Sequence, residues 1–310
     1  MMMIKSVNTW SLEQYLGPLR EAQWDEARRE PVITMEDRPV MFPPLELPAR
    51  LREQGFTAAE VSYAQFPERT ELYLNDLRGA FAASGVTLTS LLIDYGDLSA
   101  ADEVRREADF AWCKGWIDTA AQAGAKRVRI RGGDAEPADE AALRRSAEAM
   151  LRLEAYAAQA GIRVVTENLG KSLSTADSRL QFLDLCGGRI GFTADFGNFG
   201  KDKHAQLARV LPYAETVHAK PDLKKEGGID TDDFNRRLQL CIDQGFRGVY
   251  SFTYLGEGSL GRIWLSFARM PNERSGWRNK AFPKAGNEAR QTAGFPSQAC
   301  VKLPGYRVRN

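Results

Sequence analysis

The sequence predicts an α/β fold, a (β/α)8 TIM barrel. Three observations carry that prediction. Short β-rich runs alternate with longer helical patterns through most of the 310 residues, the order that builds a parallel sheet from βα units. The sequence helix, glycine, strand recurs along the chain, and glycine supplies the left-handed backbone that ends a helix. Polar residues stand where later strands end, and barrels of this class carry their reactive groups there. The length suits one such domain.

The elements follow in order. A first strand spans about 3–9. Residues 11–43, interrupted by Pro31, Pro39 and Pro43, read as a long loop with one short helix at most. A helix near 46–54 stops at Gly55, and AAEVSY (58–63) is strand two. A helical pattern over 70–84 stops at Gly85, before VTLTSLLI (86–93) as strand three. The long pattern 102–123 stops at Gly124, before KRVRIR (126–131) as strand four. Residues 138–160 close at Gly161, before IRVVTE (162–167) as strand five. A helix near 175–186 precedes RIGFTAD (189–195), strand six. A helix near 203–210 precedes AETVHAK (214–220), strand seven. Residues 230–243 form the last strong helical pattern, and GVYSFTY (248–254) is strand eight. An open doubly wound sheet is the alternative. It announces itself with a glycine-rich phosphate turn after strand one, whereas here Trp10-Ser11-Leu12 follows.

Composition narrows the function classes. With 43% hydrophobic and 27% charged residues, a packed core is available and intrinsic disorder is not expected. No apolar run approaches the ~18 residues of a membrane span. The opening MMMIKSVNTW lacks the pattern of a secretion signal, so a cytoplasmic location is expected. Cys113, Cys186, Cys241 and Cys300 are far apart and form no CxxC pair, which reads as buried or incidental thiols. His204 and His218 are the only histidines, which excludes histidine-rich metal clusters.

Charge is uneven. Residues 259–310 hold ten Lys/Arg against two Asp/Glu, while the preceding 258 hold 32 against 39. Only 259–270 could form a short helix there, and no sustained period follows. The division expected is a barrel domain over 1–258 and a basic, atypical tail over 259–310 in place of the last helix. Such a tail fits either a changed reading frame or a partner-binding extension.

Glu167, Asp195 and His218 end strands five, six and seven, with Thr253 and Glu257 near the end of strand eight. Two carboxylates and an imidazole from neighbouring strands can converge on one cation. Mixed oxygen and nitrogen donors suit Mn²⁺, Co²⁺, Mg²⁺ or Zn²⁺. Taken singly, each residue has a plainer role: strand-end carboxylates cap helices or pair with lysine, and a lone histidine can be a satisfied core residue.

TENLG (166–170), TADFGNFG (193–200), TVHAKPD (216–222) and FRGVYSFTYLGEG (246–258) resemble successive strand-end motifs of the xylose isomerase-like sugar (phosphate) isomerase and epimerase family. VNTWSL (7–12), GFTAAEVSY (55–63) and GAKRVRIRGG (124–133) agree more loosely, so the resemblance spans about residues 4–258. It implies one divalent metal held by a Glu, an Asp, a His and a second Glu from strands five to eight. The two glutamates would also carry protons on opposite faces of the substrate. By motif, Glu167, Asp195 and His218 match the first three. Thr253 stands in place of the second glutamate, and Leu169 where many relatives carry histidine. Glu257 lies four residues past Thr253, about 13 Å along an extended strand.

The implied chemistry is proton abstraction beside a carbonyl, with the metal as Lewis acid and Glu167 as base. Substrate-binding candidates are Trp10, Glu60, Arg131, Asn198 and Lys220. For each a structural role is the alternative: core aromatic for Trp10, ion pairs for Glu60 and Arg131, a turn for Asn198, and pairing with Asp222 or Asp195 for Lys220. RIRGGDAEP has two glycines but no P-loop ending. Three functions follow: a metal-dependent isomerase or epimerase acting on a carbohydrate, a degenerate sugar-binding barrel, or a lyase or dehydratase on the same scaffold. No membrane or nucleic-acid partner is expected, and a homo-oligomer is left open.

Overall fold

A computed structural model describes residues 4–224 and 228–256. In chain order the strands and helices are β1 (Ile4–Asn8), β2 (Leu19–Asp25), β3 (Glu30–Glu36), α1 (Leu47–Glu53), β4 (Ala58–Ser62), α2 (Glu71–Ser84), β5 (Thr87–Ile93), α3 (Glu103–Ala123) and β6 (Arg127–Ile130). They continue as α4 (Glu140–Gln159), β7 (Arg163–Glu167), α5 (Ala176–Leu185), β8 (Gly191–Asp195), α6 (Lys203–Val210), β9 (Thr216–Ala219), α7 (Thr231–Asp243) and β10 (Val249–Phe252). Eight of the strands close a parallel barrel in the order β1-β10-β9-β8-β7-β6-β5-β4. The fold is therefore the expected TIM barrel, and β7 to β10 are the fifth to eighth barrel strands.

Local chemistry sets the helix ends. Thr70, Asp102, Asp139, Thr175 and Asp230 each accept a hydrogen bond from a first-turn N–H of the helix that follows, satisfying a donor with no partner in the helix. At the other ends Gly85 and Gly124 adopt φ of +68° and +80°. The strand that follows each helix then packs its outward residues, such as Leu91, Val128, Val164 and Phe192, against the helix layer, fully buried.

One expectation is overturned. Residues 11–43 are not a long loop: β2 and β3 form an antiparallel hairpin with Ala22 opposite Ile33. Asp25 Oδ1 accepts from the N–H groups of Ala27 and Arg28 in its turn, and Arg29 takes a φ of +55° there. Tyr63 Oη accepts from Ala22 N–H at 2.9 Å, tying the ribbon to the barrel mouth. β3 is largely exposed and β2 only partly covered, so the two strands lack the clear apolar–polar alternation by which a strand is read from sequence.

Cys113, Cys186 and Cys241 are buried free thiols. No helix among the described residues is long and apolar enough to cross a membrane. The short helix expected at 259–270, Glu257 and Cys300 lie outside the described residues, as does the basic tail.

Candidate metal centre

The barrel interior is unusually polar. Ser6, Ser251, His218 and Asp195 stand opposite one another in register across β1, β10, β9 and β8, so their side chains share the inward face. Glu60, Ser90, Arg129 and Glu167 are buried as well, each 2% exposed or less. Barrels usually fill this space with branched aliphatic side chains. Ionisable groups held there must be paired, hydrogen-bonded or bound to a cation.

One donor oxygen each from Glu167 and Asp195 and one ring nitrogen of His218 lie within 4.8 Å of one another. His218 Nδ1 is 3.3 Å from Glu167 Oε2 and 3.7 Å from Asp195 Oδ2. The other ring nitrogen, Nε2, is 2.8 Å from Glu60 Oε2. Asp195 Oδ1 accepts from Gly197 N–H at 2.6 Å. The Asn168 amide clamps the Asp195 backbone by two hydrogen bonds. Asn198 Nδ2 donates to Glu167 Oε1 at 2.9 Å.

Arg129 was not singled out by sequence reasoning, yet it is the fixed cation of the site. It pairs with Asp94 at 2.6 Å and with Glu167 Oε2 at 3.0 Å. Asp94, also unforeseen, accepts from Trp10 Nε1 at 2.9 Å and from Ser62 Oγ at 3.2 Å. The alternation of Arg127, Arg129 and Arg131 with Val128 and Ile130 in KRVRIR was the available signal for Arg129. Its inward direction depended on register.

Burial penalises every charge here, and the pairing outweighs it. Burial alone would raise Glu60, but the charge and hydrogen bond of His218, helped by Ser251 and Arg129, hold its carboxyl below the usual range. Asp195 is likewise held low by His218 and Lys220 against burial. Burial would lower His218, but the Glu167 and Glu60 carboxylates hold it well above its ordinary value. A carboxylate only accepts hydrogen bonds, so His218 Nε2 carries a proton toward Glu60, and the proton on Nδ1, which faces Glu167 and Asp195, is the one a cation would replace.

The three side chains fit a divalent cation. Glu167 Oε2 is buried without an aligned hydrogen-bond donor among the described residues, the state of a lone pair suited to a metal. The donor set is two carboxylate oxygens and one imidazole nitrogen. Three protein ligands leave positions open for water or substrate, as catalytic sites do. At the fourth position Thr253 is 4% exposed, and its Oγ1 has no hydrogen-bond partner among the described residues. It supplies no carboxylate.

The remaining candidates separate. Trp10 sits on the 3₁₀ turn after β1 and is tied to Asp94. Arg131 is engaged by Asp134 and the Asp94 carbonyl. Asp222 is taken by Lys203 at 2.8 Å and by Arg237 at 2.6 Å. Lys220 therefore does not pair with Asp222. Its Nζ lies 3.4 Å from Asn198 Oδ1, which extends the Glu167–Asn198 link outward. Glu60 is enclosed against His218 rather than open to the mouth.

The model of the xylose isomerase-like TIM barrel matches residues 48–261. The chain belongs to that family. Its structural relatives include an L-ribulose 3-epimerase, 18% identical, with a TM-score of 0.59 over 90% of this chain and 87% of the other. A probable 3-DHS dehydratase from Bacillus anthracis is 14% identical, with a TM-score of 0.61 over 86% and 97%. A xylose isomerase-like TIM barrel protein from Mycobacterium smegmatis in complex with magnesium is 18% identical, with a TM-score of 0.58 over 86% and 97%. At these identities the likeness is one of fold. No curated protein matches the chain significantly.

Proposed function

We propose that the chain is a metal-dependent isomerase acting on a sugar or sugar derivative by proton abstraction beside a carbonyl. The observation that carries this reading is the buried convergence of Glu167, Asp195 and His218 at the ends of three adjacent strands. Epimerase relatives of the same fold, one of them an L-ribulose 3-epimerase, support a carbohydrate substrate.

Glu167, Asp195 and His218 would hold the cation, which when bound supplies Lewis-acid polarisation of the substrate carbonyl. Glu167 takes the proton from the carbon beside that carbonyl. Asn198 fixes one oxygen of that carboxylate, and Arg129 steadies the other. Lys220, whose Nζ lies beside Asn198 Oδ1, would hold a substrate oxygen. Trp10 offers an aromatic surface, and Arg131 a further cation, around the same mouth.

Thr253 decides the stereochemical reading. Inverting a carbon by two bases needs a second acid on the opposite face, and Thr253 cannot be a carboxylate. Glu167 would therefore remove a proton and return it to the same face, at the same carbon as exchange or at the neighbouring carbon as isomerisation. The orphaned Thr253 hydroxyl also favours a second reading, a sugar-binding barrel that has lost catalysis.

The test is Mn²⁺ titration into chelated protein beside Glu167→Gln and Asp195→Asn. Near one equivalent bound, and lost in both variants, is expected. Ketoses and aldoses incubated with the loaded protein in D₂O should then gain deuterium next to the carbonyl. Folded protein that takes up no metal would refute the metal-dependent reading. Metal binding without deuterium exchange across the sugars would favour the degenerate barrel.

A further inference from the structure

Glu60 is sequestered in a way that a substrate ligand would not be. It is 2% exposed, and its Oε2 lies 2.8 Å from His218 Nε2, while the Ser251 hydroxyl and the Arg129 charge also act on it. Glu60 sits on β4 and His218 on β9, with β1 and β10 between them in the closed sheet. On β10 and β1 the residues in register with His218 are Ser251 and Ser6, paired with each other, while Glu60 is in register with Asn8, one inward position further along β1. Both serines are fully buried. Two small side chains thus leave the volume through which the Glu60 carboxylate reaches the imidazole.

A ring held by one nitrogen has its other nitrogen aimed. In metal sites a carboxylate on the far side of a histidine fixes both the tautomer and the plane of the ring. We propose that Glu60 is the positioning residue of the centre: it holds the His218 Nε2 proton, fixes the ring plane, and so presents Nδ1 to the cation beside Glu167 and Asp195. This rests on the metal-dependent reading for its consequence, while the Glu60–His218 bond itself does not. Ser6 and Ser251 act as the spacers that let the bond form.

Two variants separate the role from bulk. Glu60→Gln keeps an acceptor at the same reach. Glu60→Met keeps the length and removes every acceptor. In a His204→Gln background His218 is the sole imidazole, so ¹⁵N-labelled protein reports one ring. Expected is an exchange-protected Nε2–H, shifted downfield by its hydrogen bond, in the parent and in Glu60→Gln, and its loss in Glu60→Met. By electron paramagnetic resonance of free Mn²⁺, Glu60→Met should raise the Kd about 10–100-fold, and Glu60→Gln should stay near the parent. Unchanged ring resonances and unchanged Kd in folded Glu60→Met would overturn the proposal. If Glu60→Met does not fold, Ser251→Leu is read instead. It blocks the path from β4, and must lose the same ring N–H for the proposal to stand. If the parent binds no Mn²⁺, the metal-dependent reading fails alone, because the ring resonance of the metal-free chain still decides whether Glu60 positions His218.

Discussion

Replacing Arg129 with methionine tests the electrostatic frame of the site. The guanidinium is 2% exposed and bridges Asp94 at 2.6 Å and Glu167 at 3.0 Å. Removing one member of a buried pair costs roughly 3–5 kcal/mol, chiefly because a charge is left buried without its partner. Neither carboxylate is left without a partner. Asp94 keeps hydrogen bonds from Trp10 and Ser62, and Glu167 keeps Asn198 on its other oxygen and the His218 ring 3.3 Å from Oε2. The cost should therefore lie near the lower end, about 3 kcal/mol. In a domain of this size that lowers Tm by roughly 6–12 °C. Urea denaturation of metal-free protein at neutral pH, with calorimetry alongside, reads both numbers. Arg129→Lys restores a charge without the planar fork that spans two carboxylates, so it should fall between. A Met variant as stable as the parent would refute the buried pairing.

Other outcomes follow from the same geometry. His218 is held well above its ordinary value, so its pairing contributes stability that is present below pH ~6.5 and is lost as pH rises through the folded-state value. Metal-free protein should lose stability over that alkaline window, and saturating Mn²⁺ should restore it, because the metal takes the place of a proton. Glu60 and Asp195 are held low. Their contribution is present above their ordinary carboxylate values and disappears as pH falls through the folded ones, which thermal melts at acid pH will show. Arg179 on α5 is fully buried, and its guanidinium stacks 4.0 Å from the Phe192 ring without a hydrogen-bond acceptor among the described residues. Burial pushes it down from its ordinary value to about 9, which corresponds to roughly 5 kcal/mol against folding at neutral pH, offset in part by ~2 kcal/mol from the ring. Arg179→Met should accordingly raise stability by about 1–3 kcal/mol, with the gain shrinking above pH 9; a destabilised variant would contradict this. Gly170, three residues past Glu167, has a φ of +79°, and a Cβ there would sit 2.6 Å from the Gly133 carbonyl. Gly170→Ala should cost about 1–3 kcal/mol and weaken Mn²⁺ binding by moving the Glu167 loop, both measurable by melting and titration.

Much of the barrel was legible in the sequence for local reasons. Gly85 and Gly124 mark helix ends because few other residues take a left-handed backbone cheaply, and Asp102 and Asp139 mark starts because their side chains bond the first-turn N–H groups. Those signals act within a few residues, so strand and helix positions followed closely. The hairpin was missed because Pro31 falls inside β3 and its apolar residues do not mark a buried face, Ile33 and Met35 being exposed. The strand-end residues Glu167, Asp195 and His218 were visible because a polar group at the end of an apolar run is a local pattern too.

The chain by itself thus determined the order of its elements and which side chains stand at the strand ends. Only the tertiary structure decided what those side chains meet. His218 and Glu60 are 158 residues apart, and Trp10 and Asp94 are 84 apart. Arg129 lies between Asp94 and Glu167, on either side of it in the chain. Such pairings depend on closure of the sheet and on the register of each strand, which set the inward face and its level. A shift of one residue would turn Arg129 or Ser251 to the helix layer, and no local signal carries that information.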